Sequence, residues 1–119
     1  KRLFPQAKFW VGPVICEGFY YDIDLGDEVI KEEDLAIIEK EMKKIKEQGY
    51  AIDDEERTLG VRCMAVPIFN YGGNVSYCIG ISAPKEQITE KTKKQYISCM
   101  KKYARQISNE LGYGLYHKV

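Results

Sequence analysis

Apolar residues at Leu35, Ile38, Met42 and Ile45 recur at intervals of three, four and three, which lines one face of a helical period. Glu39, Lys40, Glu41, Lys43, Lys44 and Lys46 cover the remaining surface, so the pattern predicts an amphipathic helix over 32–48 with its core on one side. Asp34 is placed as its N-cap and Gly49 as its left-handed stop. Before it, Phe9-Trp10-Val11 and Phe19 to Ile23 read as two strands of a hairpin turning at Cys16-Glu17-Gly18, with Pro13 at an edge position. After it comes a short strand, then a run from Val61 to Phe69 with apolar or small residues on both faces, as expected of a central strand. Tyr71-Gly72-Gly73-Asn74 predicts a hairpin turn. The next strand, Val75 to Ser82, alternates Val75, Tyr77, Ile79 and Ile81 with Ser76, Cys78, Gly80 and Ser82 and ends at Pro84. A second, longer helix follows, capped by Thr89, striped by Thr92, Tyr96, Cys99, Met100, Tyr103, Ile107 and Leu111, and stopped by Gly112.

These elements predict an α+β fold in two layers: an antiparallel sheet of about four to five strands with both helices on one face, in the order β-β-α-(β)-β-β-α. The 119 residues fit a single domain, 1–119. No apolar run approaches the roughly 20 residues of a membrane helix, and no secretory signal opens the chain, so a soluble, cytoplasmic protein is expected. Lys plus Arg balances Asp plus Glu at 18 each, and the helix lysines are interleaved with glutamates or uncharged residues, which argues against a nucleic-acid partner. Cys16, Cys63, Cys78 and Cys99 form no C-x-x-C pair and His117 is the one histidine, so no metal or cofactor is expected, and the thiols read as reduced and mostly buried.

The successive acids Asp53, Asp54, Glu55 and Glu56 can act as acid and base or hold a cation. Side chains along a strand end point in alternate directions, however, and such runs are commonly solvated. Tyr71-Gly72-Gly73 is a turn and not a phosphate loop, because no lysine followed by serine or threonine comes after it and no helix begins there.

Two resemblances sharpen this reading. The run LFPQAKFWVGPVICEGFYYDIDL with EEDLAIIEKEMKKI is similar to part of the N-terminal editing domain of threonyl-tRNA synthetases and covers residues 1–46. The histidine pair and the cysteine-histidine pair of that family have no counterpart here, so the resemblance implies a β-hairpin-helix unit without editing activity. From Gly49 to Tyr113, GYAIDDEE, GVRC, the P-x-F strand, I-S-x-P and I-S-x-x-L-G resemble the C-terminal part of the GAF-like effector-binding domain of IclR-type regulators. That resemblance implies Asp53, Cys63 and Ser82 as ligand-binding positions for a small carboxylate, with Gly80 standing where many relatives carry serine.

Together the halves 1–46 and 47–119, joined within helix 32–48, imply a recombined or engineered chimera that is not an enzyme and has no evolved activity of its own. A chain beginning without methionine fits an engineered or a trimmed protein. An IclR-type effector-binding regulatory domain is the alternative, and an aminoacyl-tRNA editing hydrolase the second. Self-association through the exposed sheet face is expected to outrank ligand binding, with carboxylates held no tighter than millimolar.

Overall fold

A computed structural model describes residues 3–10, 12, 14–16 and 18–116. Val11, Pro13, Glu17 and His117, each given a place in the sequence reading, lie outside the described residues. The chain divides into two compact units, Lys1–Glu41 and Met42–Val119.

In the first unit the expected hairpin forms as two short antiparallel ladders. Strand β1 (Lys8–Phe9) pairs with β4 (Ile23–Asp24), and inside them β2 (Val14–Ile15) pairs with β3 (Gly18–Phe19). The second expected strand is therefore split, with Tyr20 to Asp22 outside regular pairing, although the Trp10 amide still donates to the Asp22 carbonyl at 2.9 Å. Phe9 and Tyr21 meet edge to face with ring centroids 5.8 Å apart, an arrangement suited to their quadrupoles.

Helix α1 (Glu32–Gln48) begins two residues before the expected cap. Asp34 lies inside the first turn and its carboxylate accepts from the Lys31 amide at 2.9 Å, so it serves the helix start from the third helical position. Gly49 ends the helix as anticipated, at φ 71°, with its amide donating to the Ile45 carbonyl. The inward stripe is corrected: no residue of α1 is buried, and Leu35, Ile38 and Met42 are exposed.

The second unit carries a three-stranded antiparallel sheet in the order β5 (Ala51–Asp54), β6 (Val61–Phe69), β7 (Val75–Pro84), backed by α2 (Glu90–Glu110) and followed by one turn, α3 (Tyr113–Tyr116). The α+β antiparallel architecture is as predicted; among the described residues the main sheet has three strands, and α2 packs on it. Met64, Val66 and Ile68 of β6 form the core with Ile88, Ile97, Met100 and Ala104.

The α2 stripe is rotated from the expected one. Ile97, Met100, Ala104 and Ser108 are buried, while Tyr96, Cys99, Tyr103, Ile107 and Leu111 are exposed. Both stripes satisfy a helical period; small Ala104 and Ser108 let the backbone approach the sheet, which a residue-by-residue count of apolar positions overlooks. Ser108 links the layers, accepting from the Phe69 amide at 2.9 Å and donating to the Ala104 carbonyl at 2.7 Å. Thr89 caps α2 through a reciprocal pair with Thr92.

Pro67 sits in the central strand at a point where pairing is one-sided. Its partner is Cys78 of β7, whereas β5 pairing stops at Ala51 opposite Ala65, so the absent amide hydrogen leaves no ladder bond unmade.

Candidate functional site

The face of the sheet opposite α2 carries the three residues singled out from the sequence. Cross-strand pairing places Asp53 opposite Cys63 and Cys63 opposite Ser82, so one residue from each strand forms a transverse row. Directly opposed side chains on one face lie about 4.5–5.5 Å apart at Cβ, close enough for a small ligand to touch neighbouring members. Asp53 and Cys63 are half-buried and Ser82 is exposed. The Ser82 hydroxyl donates to the Cys63 sulfur at 3.1 Å, and Asp53 Oδ1 accepts from the Glu56 amide at 2.9 Å. The next row on this face is Ala51, Ala65 and Gly80, all small, which leaves the surface shallow.

The acidic run is resolved into structural roles. Asp54 Oδ1 receives Arg62 Nε at 2.8 Å, and Arg62 Nη1 donates to the Ile88 carbonyl. Glu55 has φ 60°, and its carboxylate accepts from the Gly60 amide at 2.7 Å and from Lys85 Nζ at 3.0 Å. The Arg62 hydrogen bond lowers the Asp54 pKa from its ordinary 3.8, and the Gly60 amide followed by Lys85 lowers that of Glu55 from 4.5. Acids tied into a turn in this way fix the loop between β5 and β6, and with it the end of the row at Asp53.

The sequence reading missed Arg62, which joins that loop to the approach to α2, and Lys101. Lys101 Nζ donates to the Gln48 carbonyl at 2.6 Å and lies 5.2 Å from the centre of the Tyr50 ring. An arginine eight residues past Asp54, the second acid of the run 53–56, was the available signal for the first; for the second, a lysine facing a helix end across 53 residues, there was none.

The thiols are corrected as well: Cys16, Cys78 and Cys99 are exposed and Cys63 is half-buried, all four free. Among the described residues no group of three or more His, Cys, Asp or Glu is arranged to hold a metal ion, and no helix is long and apolar enough to cross a membrane.

Comparison with known proteins gives two kinds of match. The DNA-binding transcriptional repressor YiaJ of Escherichia coli is 40% identical over 73 residues, covering 61% of this chain and 26% of the repressor. The threonine-tRNA ligase of Streptococcus equi subsp. zooepidemicus is 52% identical over 58 residues, covering 49% of this chain and 9% of the ligase. This chain thus spans about a quarter of the first protein and about a tenth of the second. The crystal structure of the C-terminal domain of the E. coli regulator KdgR superposes with a TM-score of 0.60 at 33% identity, over 73% of this chain and 51% of that one. The profile of the bacterial transcriptional regulator IclR C-terminal family matches residues 31–109, two-thirds of the sequence and all of the three-stranded sheet with its site row, and the chain belongs to that family.

Proposed function

We propose that this chain acts as a small-molecule-responsive part of an IclR-type regulator, with the row Asp53, Cys63 and Ser82 as the polar floor on which a small carboxylate rests. The observation that carries this reading is the transverse alignment of those residues on the sheet face opposite α2. Ser82 offers a hydroxyl, Cys63 a thiol and the adjacent small residues leave room for a ligand of a few heavy atoms. The floor has no roof of converging donors among the described residues, so affinity is millimolar or weaker. The role is ligand response and not catalysis; the balanced charge argues against nucleic-acid contact by this segment itself, and its place is the cytoplasm.

Calorimetric titration with pyruvate and glyoxylate tests it: millimolar binding that disappears in Ser82→Ala is expected, and no heat at any concentration, or heat unchanged by the substitution, overturns it.

A second reading is favoured by the ligase similarity together with the division of the chain at Glu41 and Met42: a chimera of two family fragments without evolved activity. The coding context separates the two, since a DNA-binding segment encoded in frame ahead of this sequence supports the regulator. An editing hydrolase is the least supported role; incubation with serine-charged threonine transfer RNA is expected to release no serine above buffer.

A further inference from the structure

Asp53 is the least firmly placed member of the row. Cys63 and Ser82 lie in strands of nine and ten residues, whereas β5 has four, and Asp53 stands one pair from the end of its ladder with β6. Strand ends open before strand middles, so whatever holds the last pair, Asp54 with Arg62, also holds Asp53. Beyond that pair the chain leaves through a loop in which Glu55 takes φ 60°, a conformation that a residue with a side chain adopts at a cost. The Asp53 carboxylate is itself bonded to the Glu56 amide of this loop, so its orientation follows the position of the loop.

Arg62 restrains this end of the sheet from the opposite face. Successive side chains of a strand leave opposite sides, so Arg62, next to Cys63, lies on the α2 side and does not face the row. Its Nε donates to Asp54 Oδ1 at 2.8 Å and its Nη1 to the Ile88 carbonyl. Ile88 is fully buried in the core and immediately precedes the Thr89 cap of α2, so that carbonyl is a fixed point. The guanidinium is planar and rigid, and with one nitrogen on a fixed acceptor the other sets where Asp54 stands. Glu55 and Glu90 add to the negative field around it. A second tie runs in parallel, from Lys85 Nζ to Glu55 Oε1 at 3.0 Å and from the Lys85 amide to the Gly60 carbonyl at 2.9 Å. The Asp54 side chain is 51% exposed, and an ion pair this open to water adds little to stability, so its effect lies in placement.

We propose that Arg62 is a positioning residue for the ligand row: anchored on the Ile88 carbonyl, it holds Asp54 and thereby sets Asp53 in line with Cys63 and Ser82 without touching the ligand. The inference rests on the reading of the row as the floor for a carboxylate, and it adds to that floor a residue from the other side of the sheet. The placement matters because Asp53 is itself an anion. Held to the Glu56 amide, its charge is met by a donor and kept at the end of the row; released, it swings over the floor and repels the carboxylate that has to lie there.

Two readouts on the full chain test this, one without ligand. Arg62→Lys keeps the charge but offers a single point donor that cannot serve Asp54 and Ile88 together, and Asp54→Ala removes the acceptor at the exposed end should the first variant fail to fold. In both, the Glu56 amide is expected to exchange its hydrogen about tenfold faster, the effect of losing one anchoring bond, while the Phe69 amide at the far end of β6 is unchanged. Pyruvate affinity, followed by the chemical shifts of the Cys63 and Ser82 amides, is expected to weaken about fivefold in the same two variants. Asp54→Asn keeps an acceptor at the same reach and is expected to match the wild type in both readouts. Ser108→Ala, which destabilises the same unit away from this end, is expected to leave the affinity unchanged, so a loss that only tracks stability is told apart from a loss of placement. Unchanged Glu56 exchange in both variants, unchanged affinity in them where the wild type binds, an Asp54→Asn chain as weak as Asp54→Ala, or an equal loss in Ser108→Ala each overturns the proposal. A wild type that binds no pyruvate removes the carboxylate reading of the row instead, and the exchange of the Glu56 amide then decides alone whether Arg62 places Asp53.

Discussion

The Ser82 hydroxyl donates to the Cys63 sulfur across 3.1 Å, tying the edge strand to the central strand on the face that α2 leaves open. Sulfur is a weak acceptor, so this bond orients the hydroxyl while leaving it free to turn toward a better one. A carboxylate oxygen is such an acceptor. Under the proposed function the pair is the resting contact that a bound carboxylate would displace.

Gly80 lies next to this pair on the same face, and a Cβ built there meets the Met64 carbonyl at 3.7 Å, ordinary van der Waals contact. Gly80→Ser therefore adds a hydroxyl without steric conflict. Affinity for pyruvate or glyoxylate, measured by calorimetry, is expected to rise about five- to tenfold, the effect of one further hydrogen bond. An unchanged or weaker affinity would show that ligand does not lie along this face.

The burial of the two units gives a paired stability test. Met64 is 2% exposed at the centre of the core, and Met64→Ala is expected to cost about 2–5 kcal/mol in urea unfolding. Ile38, at 37% exposed on a helix with no buried residue, is expected to change the same midpoint by less than about 0.5 kcal/mol when replaced by Ala. A large loss at Ile38 would mean that its stripe is covered in solution.

Ser108→Ala removes the acceptor of the Phe69 amide at the junction of β6 and α2. An amide left without a partner beneath the helix costs about 1–3 kcal/mol, and the Phe69 amide is expected to lose protection in hydrogen exchange ahead of its neighbours in β6. Equal protection in the variant would mean that water replaces the serine.

Acid sensitivity follows from acids at the loop between β5 and β6 and at the start of α2. Asp54, Glu55 and Glu90 all have pKa values lowered from their ordinary 3.8, 4.5 and 4.5, by Arg62, by Gly60 with Lys85, and by Lys93 respectively. A lowered folded-state value means that the unfolded chain binds protons first as pH falls. The stabilisation is therefore complete above about pH 5 and is lost progressively below the ordinary values, as pH descends through the folded ones. Asp54→Asn is expected to lower stability at pH 7 and to flatten its decline between pH 5 and pH 2.5, followed by urea midpoints. Parallel pH profiles for the two proteins would remove Asp54 from the account.

Much of the second unit was legible in one dimension. Period-two alternation from Val75 to Ser82, the glycine turn at 72 and 73, the Thr89 cap and the Gly49 and Gly112 stops are local, because each depends on backbone preferences or hydrogen bonds within a few residues. The site residues were nameable for another reason. Asp53, Cys63 and Ser82 lie in short motifs resembling those of the IclR type, but that they form one row is a matter of register, which the pairing of three strands decides.

Helix faces were decided by tertiary structure. On α2 the stripe of Tyr96, Tyr103 and Ile107 and that of Ile97, Met100, Ala104 and Ser108 both follow a helical period, and periodicity does not say which faces a sheet. The sheet selected the second, where small residues permit close approach and where Ser108 satisfies a strand amide. For α1 the sequence determined a helix and its stop at Gly49, since propensity and the glycine stop are local. Whether Leu35, Ile38 and Met42 were covered depended on a partner surface, and burial is a property of two surfaces, of which a sequence pattern specifies one.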